Sequence, residues 1–493
     1  MRYIRIFICL IITALLCFGV TACSKDTSEA YIYFQLDKKP VTLDPQTASD
    51  DCELMIIRNI YEGLLKKNSN GKIVCGACEN YQKKGLSYSF NIRKNAKWSN
   101  GDDLVANDFV FALRRAVLKK TQAPFAERLF CIKNARDVYK GKKPSSALAV
   151  KAVDSKTLVI TLEKKDSYFE ETLTSSICMP CNSKFFKESI GKYGLERDYI
   201  ISNGSYVLTK WNKDDFGIRL YRNDSYHGDF TAKNAAVFIS KSEKETPVEI
   251  LKKDTGDIAF LDSTFLTEAK KESIKIKTVP NILWVLTIGE KFDFQTRKCF
   301  AKAFSSKIYE NSLPKGFEAA ESLYPQIIKK SKNTAHKGME AYDIKYAKTK
   351  MGEIINSFDE TRFPSSTLYY YSDPAVKQAL TDIVGHWQQN LSAYINIKEV
   401  EDLNELIDQL KKRSLDFAVF PITAKNASSK EYLKNFNCSL NDPLKAQISV
   451  FSDKSILPIA FENTNIAFVD NIKLDFIDNG NGYIDFSFIE KVE

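Results

Sequence analysis

Apolar residues recur along this chain in two rhythms. Tyr88-Ser89-Phe90-Asn91-Ile92 and Ile395-Asn396-Ile397-Lys398-Glu399-Val400 alternate strictly, as half-buried strands do. Residues 158–162 and 415–422 are mostly apolar runs of strand length, and further strands are expected at 30–34, 203–208, 218–221, 283–287 and 367–371. Phe109, Ala112, Leu113 and Ala116 fall on one helical face, with Asn107 or Asp108 as the cap of a helix over 109–118. Helical spacing also marks 54–65, 295–309, 374–390 and 403–410, with short helices at 168–173 and 183–190. Near the end, Asp478-Asn479-Gly480-Asn481-Gly482 between two apolar runs has the Asn-Gly chemistry of a hairpin turn. Strands and helices interleave throughout, which predicts an α/β fold, and 493 residues are enough for two to four lobes.

The first residues follow different rules. Arg2 and Arg5 precede an apolar run over 6–20, too short to span a bilayer comfortably and typical of a secretory signal. Val20-Thr21-Ala22-Cys23 then resembles a bacterial lipobox, which implies cleavage after residue 22, lipidation of Cys23 and a mature protein held at the outer face of the cell membrane or in the periplasm. Without residues 1–22 the chain carries 69 Lys+Arg against 62 Asp+Glu. Because the lysines are interleaved with acids, this small excess marks neither a nucleic-acid surface nor a polybasic membrane patch.

Eight cysteines lie beyond Cys23, including the pairs Cys75-Gly76-Ala77-Cys78 and Cys178-Met179-Pro180-Cys181. In an exported chain they are disulfides or buried thiols. Ninety-nine residues separate the two pairs, which is far from zinc-ribbon spacing, and His227, His336 and His386 have no ligand spacing, so no metal or other cofactor is expected. No nucleophile elbow, phosphate-cradling glycine loop or zinc-protease motif occurs, which argues against an enzyme.

Leu43-Asp44-Pro45, Glu62-Gly63-Leu64, Trp98-Ser99-Asn100-Gly101 and Asp108-Phe109-Val110, in that order, resemble the oligopeptide-binding proteins of bacterial ABC importers, extracellular solute-binding protein family 5. Asn203-Gly204-Ser205-Tyr206 and Arg222-Asn223-Asp224-Ser225-Tyr226 extend the resemblance, and Pro458-Ile459-Ala460-Phe461 sits where that family returns to its first lobe. The resemblance implies a periplasmic-binding-protein-like type II clamshell with mixed sheets and two hinge strands. Its three lobes would be lobe I from 23–61, 186–277 and 468–493, lobe II inserted as 62–185, and lobe III as 278–467. It further implies a monomer that encloses a short peptide and passes it to permease and ATPase subunits. The same architecture also serves dipeptides, metal complexes, haem, or a receptor or adhesin without transport.

The resemblance places Ser49, Asp50, Asp51 and Cys52 on one wall of the ligand cleft, and Thr423, Ala424, Lys425 and Asn426 on the other. Asp50-Asp51 also reads as a helix cap or a solvated loop. Leu403 falls where the family has a pocket aromatic, and a helix-core leucine is an equal reading. Where the family carries an aspartate for the peptide α-amino group, this chain has Lys425 or Asn426, and Pro421 has no N–H to offer. A ligand whose amine is blocked, absent or bound elsewhere follows, with Asp50 or Asp51 as the candidate substitute acid; Lys425 is instead a candidate partner for a carboxylate. Tyr369, Tyr370 and Tyr371 are strand-packing residues rather than a stacking platform.

Overall fold

The computed structural model describes residues 30–36, 38–212, 217–240, 245–253, 255–262, 264–323, 339–372, 374–412, 414–423, 445, 448–451, 456–474, 477–478 and 483–492. Among them, one mixed sheet of eleven strands forms the spine. At one end, strand Tyr31–Leu36 runs parallel to Ala235–Ser240 and, through Phe34, to Ile258–Leu261. At the other end, Phe363–Tyr371 is parallel to both Ala393–Val400 and Phe417–Thr423. Two long antiparallel strands join these ends, Lys275–Ile288 and Ile456–Phe468.

The apolar side chains sort into separate cores along those two strands. Val279 and Ile466 belong to a first core that also holds Phe34, Ile56, Phe109 and Ile160. Trp284, Leu286 and Leu457 join a second core with Phe300, Trp387 and Phe417. Leu283, Val285 and Phe461, on the opposite pleat, join a third with Leu406 and Phe420. The change of core falls around 280–282 and 462–464, where the pairing between the strands shifts register at Pro280/Ile282. A register shift adds local twist and bend.

The first and last described segments meet beside the first core. The Phe34 ring packs edge-on against Phe486 at 5.7 Å, the Asn59 side chain accepts from the Phe486 N–H at 2.8 Å, and Lys491 Nζ lies 2.9 Å from the Asp257 carboxylate. Within the 62–185 segment, Cys78–Lys84, Ser87–Ile92, Thr157–Thr161 and Val150–Ala152 form a separate antiparallel sheet covered by helix Ala106–Ala116.

Most expected elements are present with altered ends. The strand expected at 283–287 is the last part of a 14-residue strand that starts at Lys275. The helix expected over 54–65 is Asp51–Ile60, and Tyr61 is already extended. The helix expected over 295–309 ends at Lys302 and gives way to a 3-10 turn, Ser306–Ser312, so that Phe304 and Tyr309 enter one core together. Helix Ala106–Ala116 is capped differently from expectation: Asp108 stands inside its first turn and accepts the Val105 N–H at 3.0 Å. The terminal hairpin forms through Ile477 with Ile484 and Asp478 with Tyr483, and continues with Ile472–Leu474 against Ile489–Lys491. Its Asn-Gly turn lies outside the described residues.

Candidate functional site

The expected first wall is a knotted loop entering a helix. Asp50 is the N-cap of Asp51–Ile60, its Oδ1 accepting from the Cys52 N–H at 3.0 Å. The buried Glu53 carboxylate reaches back to four peptide groups: Oε1 accepts from Val41 N–H at 2.9 Å and Thr42 N–H at 3.0 Å, and Oε2 from Ser49 N–H at 3.1 Å and Asp50 N–H at 3.2 Å. The Ser49 and Asp50 N–H groups therefore face the protein interior. The side chains of Ser49 and Asp51 are exposed, Asp50 is half-buried with Lys38 Nζ at 3.5 Å, and Cys52 is buried. Burial acts to raise the Asp50 pKa, but the hydrogen bonds from Cys52 and the Lys38 charge outweigh it and leave it lowered.

On the expected second wall, Thr423 is the last residue of Phe417–Thr423 and pairs with Ile282 on the long strand. Pro421 stands beyond the last rung between its strand and Phe363–Tyr371, which is Tyr370 with Val419. A proline at such a position disturbs one ladder at most. Ala424, Lys425 and Asn426 lie outside the described residues, as does Cys23. Leu403 opens helix Leu403–Lys411 and packs, half-buried, against the third core. Tyr370 is buried and donates its hydroxyl to Glu399 at 2.9 Å, while Tyr369 packs against the third core. Cys52 belongs to the first core, and the strand that ends at Thr423 sends Phe420 and Ile422 into the third; the two long strands join these cores.

The motifs Leu-Asp-Pro, Glu-Gly-Leu and Trp-Ser-Asn-Gly are fixed by buried polar contacts around this loop and helix. Asp44 receives both terminal nitrogens of Arg115, one of which also donates to Gln46 Oε1 at 2.7 Å. Burial raises the Asp44 carboxyl above its ordinary value, and Arg115 opposes that shift. The guanidinium lies over the rings of Phe186 and Tyr193 at 4.7 and 5.5 Å, and the Tyr193 hydroxyl is 3.3 Å from that of Tyr61. Trp98 donates its indole N–H to Asp108 Oδ2 at 3.0 Å, and burial of that carboxyl lifts it to about 6 in spite of the bond.

Glu62 is the centre of a second network. Lys66 Nζ and His227 Nε2 lie 3.3 and 3.4 Å from its carboxylate, Tyr226 donates its hydroxyl to it, and Lys66 is also 3.5 Å from Asp485. Burial alone would raise the Glu62 pKa, but Lys66, His227 and Tyr226 together bring it down to about 2. Gly204 lies against the backbone of Asn59–Tyr61, where a Cβ would come within 2.8 Å of the Asn59 carbonyl oxygen, and Asn203 exchanges two hydrogen bonds with Glu62, at 3.1 Å from its N–H and 2.9 Å to its carbonyl.

Residues 72–443 match a model of the bacterial extracellular solute-binding proteins, family 5 Middle. The chain belongs to this family. It is 26% identical over 394 residues to the oligopeptide-binding protein OppA of Bacillus subtilis, a match covering 76% of this chain and 71% of that one. It is 28% identical over 261 residues to a dipeptide-binding protein of Lactococcus lactis, spanning 52% of this chain and about half, 48%, of that relative. The unliganded open form of the murein tripeptide-binding protein MppA superposes with a TM-score of 0.77 at 18% identity, covering 95% of this chain and 98% of that one. Listeria monocytogenes OppA bound to peptide gives 0.68 at 22%, covering 95% and 100%. The fold is therefore the type II periplasmic-binding-protein clamshell, and the long strands Lys275–Ile288 and Ile456–Phe468 supply its two connecting strands.

The sequence did not reveal the motifs' partners: buried Arg115 and His227, half-buried Lys66, and the role of Tyr226. The signals were present: Lys66 follows Glu62 at helical i,i+4 spacing although the chain there is a strand, and Arg115 interrupts the otherwise apolar face of its helix.

Proposed function

We propose that this chain is the exported, lipid-anchored receptor of an ABC importer, capturing short peptides between two walls and delivering them to permease and ATPase subunits. The observation that carries this reading is the pair of strands that passes from the first core to the second and third with a register shift between them, so that separately packed bodies are linked at one bend. Membership of family 5 and the peptide-binding names of the relatives support the ligand class. Lobe I would comprise 23–61, 186–277 and 468–493, lobe II 62–185, and lobe III 278–467; the cysteine of Val20-Thr21-Ala22-Cys23 would carry the lipid.

Ser49, Asp50, Asp51 and Cys52 would form one wall and Thr423, Ala424, Lys425 and Asn426 the other, with Leu403 behind the second. An enclosed ammonium needs a carboxylate, because an unpaired buried charge costs about 3–5 kcal/mol. The second wall offers Lys425 and Asn426 where the family has an aspartate, so the preferred ligand has a blocked or absent α-amine. Native mass spectrometry of the exported protein, followed by titration with matched free and N-acetylated peptides, tests both parts. Retention of a short peptide and preference for the acetylated form are expected. Failure of every peptide to bind overturns the receptor reading, and preference for the free amine overturns only the selectivity.

A further inference from the structure

Among the six described thiols of the first half, Cys52, Cys75, Cys78, Cys131, Cys178 and Cys181, one pair is built differently from the rest. Cys75 Sγ and Cys78 Sγ stand 2.9 Å apart, in contact and less than 1 Å beyond the ~2.0 Å of a disulfide bond. Cys75, the last residue of strand Ile73–Cys75, is half-exposed, and Cys78, the first of Cys78–Lys84, is fully buried. The turn between them is fastened on three sides. Gly76 N–H donates to the Leu64 carbonyl and Ala77 N–H to the Gly63 carbonyl, both at 2.9 Å, and Arg93 Nε donates to the Gly76 carbonyl at 2.9 Å. A Cβ on Gly76 would lie 2.7 Å from the Gly63 carbonyl oxygen, so the close seating depends on glycine.

The chemistry of the two sulfurs is asymmetric. The contact from Cys78 lowers the Cys75 pKa most, burial opposes it, and the Arg93 charge lowers it further, while Asp229 acts the other way. Arg93 itself is 3.1 Å from Asp229, so its charge is shared between that carboxylate and the thiol. Cys78 is pushed up by its contact with Cys75 and by burial. An accessible sulfur that ionises readily beside a buried one is the arrangement thiol–disulfide exchange uses.

We propose that Cys75 and Cys78 form a reversible disulfide site, oxidised by exchange with an external disulfide. The Cys75 thiolate attacks one sulfur of the external R–S–S–R, forming a mixed disulfide and releasing one R–S⁻. The Cys78 thiol, as it loses its proton to water, attacks Cys75 Sγ, forming the Cys75–Cys78 bond and releasing the second R–S⁻. Two cysteines lose two hydrogens in all, and one external disulfide becomes two thiols. The product pins the turn on the Glu62-Gly63-Leu64 backbone and so on the first core.

Oxidised glutathione is the probe, applied to the folded full chain, with peptide mass mapping of residues 72–93. The wild type is expected to lose two hydrogens in this segment and keep no glutathione. Cys78→Ser, with Cys78→Ala as the apolar alternative, should accumulate glutathione on Cys75, and Cys75→Ser should react at least tenfold more slowly because Cys78 is buried. The buried Cys131, Cys178 and Cys181 serve as unreactive references in the same digest. Glutathione left on wild-type Cys75, two unmodified thiols after treatment that oxidises the unfolded chain, or equal labelling of Cys75 and Cys78 would overturn the proposal. The wild-type digest decides the matter even where a variant fails to fold.

Discussion

Val279 and Leu283 lie four residues apart on one strand and are both fully buried, yet they belong to different cores. Between them the ladder to Ile456–Phe468 shifts register, and just beyond, the Trp284 indole N–H donates to Glu462 Oε2 at 2.9 Å across the two strands. A joint of this kind lets two packed bodies rotate without breaking either core. Trp284 is therefore expected to report closure. Addition of a bound ligand is expected to change tryptophan emission in the wild type and to leave it nearly unchanged in Trp284→Phe, measured at matched saturation; an equal response in both would place the movement elsewhere.

The Asp44–Arg115 pair is buried on both sides, with side chains 7% and 10% exposed. Removing one partner leaves an uncompensated charge, which costs roughly 3–5 kcal/mol. Arg115→Met should lower stability in urea denaturation by about that amount, and adding Asp44→Asn should recover part of it. A double variant that is simply the sum of its parts would show that the two groups do not act as a pair.

Glu62 and Asp108 impose opposite pH dependences. The Glu62 pKa is lowered from 4.5 to about 2, so its contribution is fully present above about 4.5 and is lost as pH falls towards 2. Asp108 is raised from 3.8 to about 6, so its contribution is fully present below about 3.8 and is lost as pH rises through 6. Each shift corresponds to about 3 kcal/mol at most. Denaturation curves between pH 2 and 7 should show Glu62→Gln flattening the acid limb and Asp108→Asn flattening the limb between 4 and 6. Unchanged slopes would contradict both assignments.

Glu53 accepts from four peptide N–H groups of residues 41–50 and so shapes the loop assigned to the first wall. Glu53→Gln turns two of those contacts into donor against donor. Ligand affinity is expected to fall about tenfold, or roughly 1.4 kcal/mol, by calorimetry, while Asp137→Asn, on the exposed Lys143 pair, leaves it unchanged. Equal affinity in Glu53→Gln would remove the loop from the site.

The architecture was legible where one physical rule dominates. Strict alternation located Ser87–Ile92, and an apolar stripe located Ala106–Ala116. The long strands were not legible, because Lys275, Lys277 and Thr278 and the run Glu462-Asn463-Thr464-Asn465 read as polar surface, whereas the structure uses them to cross between cores. Asp50 and Asp51 show the same limit at the site: a helix cap and a ligand wall ask for the same residue types, and only the contacts of Asp50 with the Cys52 N–H and of Glu53 with the loop show that the cap is made. The motif residues Asp44, Glu62 and Asp108 carried the family resemblance, but their roles rest on partners far away in sequence, such as Arg115 and His227, which spacing does not reveal.

A captured solute is expected to draw two bodies together about strands Lys275–Ile288 and Ile456–Phe468. Small-angle X-ray scattering of the protein, stripped of ligand and then saturated with a peptide it retains, measures this directly. A smaller radius of gyration on saturation is the predicted result. A saturated complex whose scattering profile is the same as that of the stripped protein would contradict it.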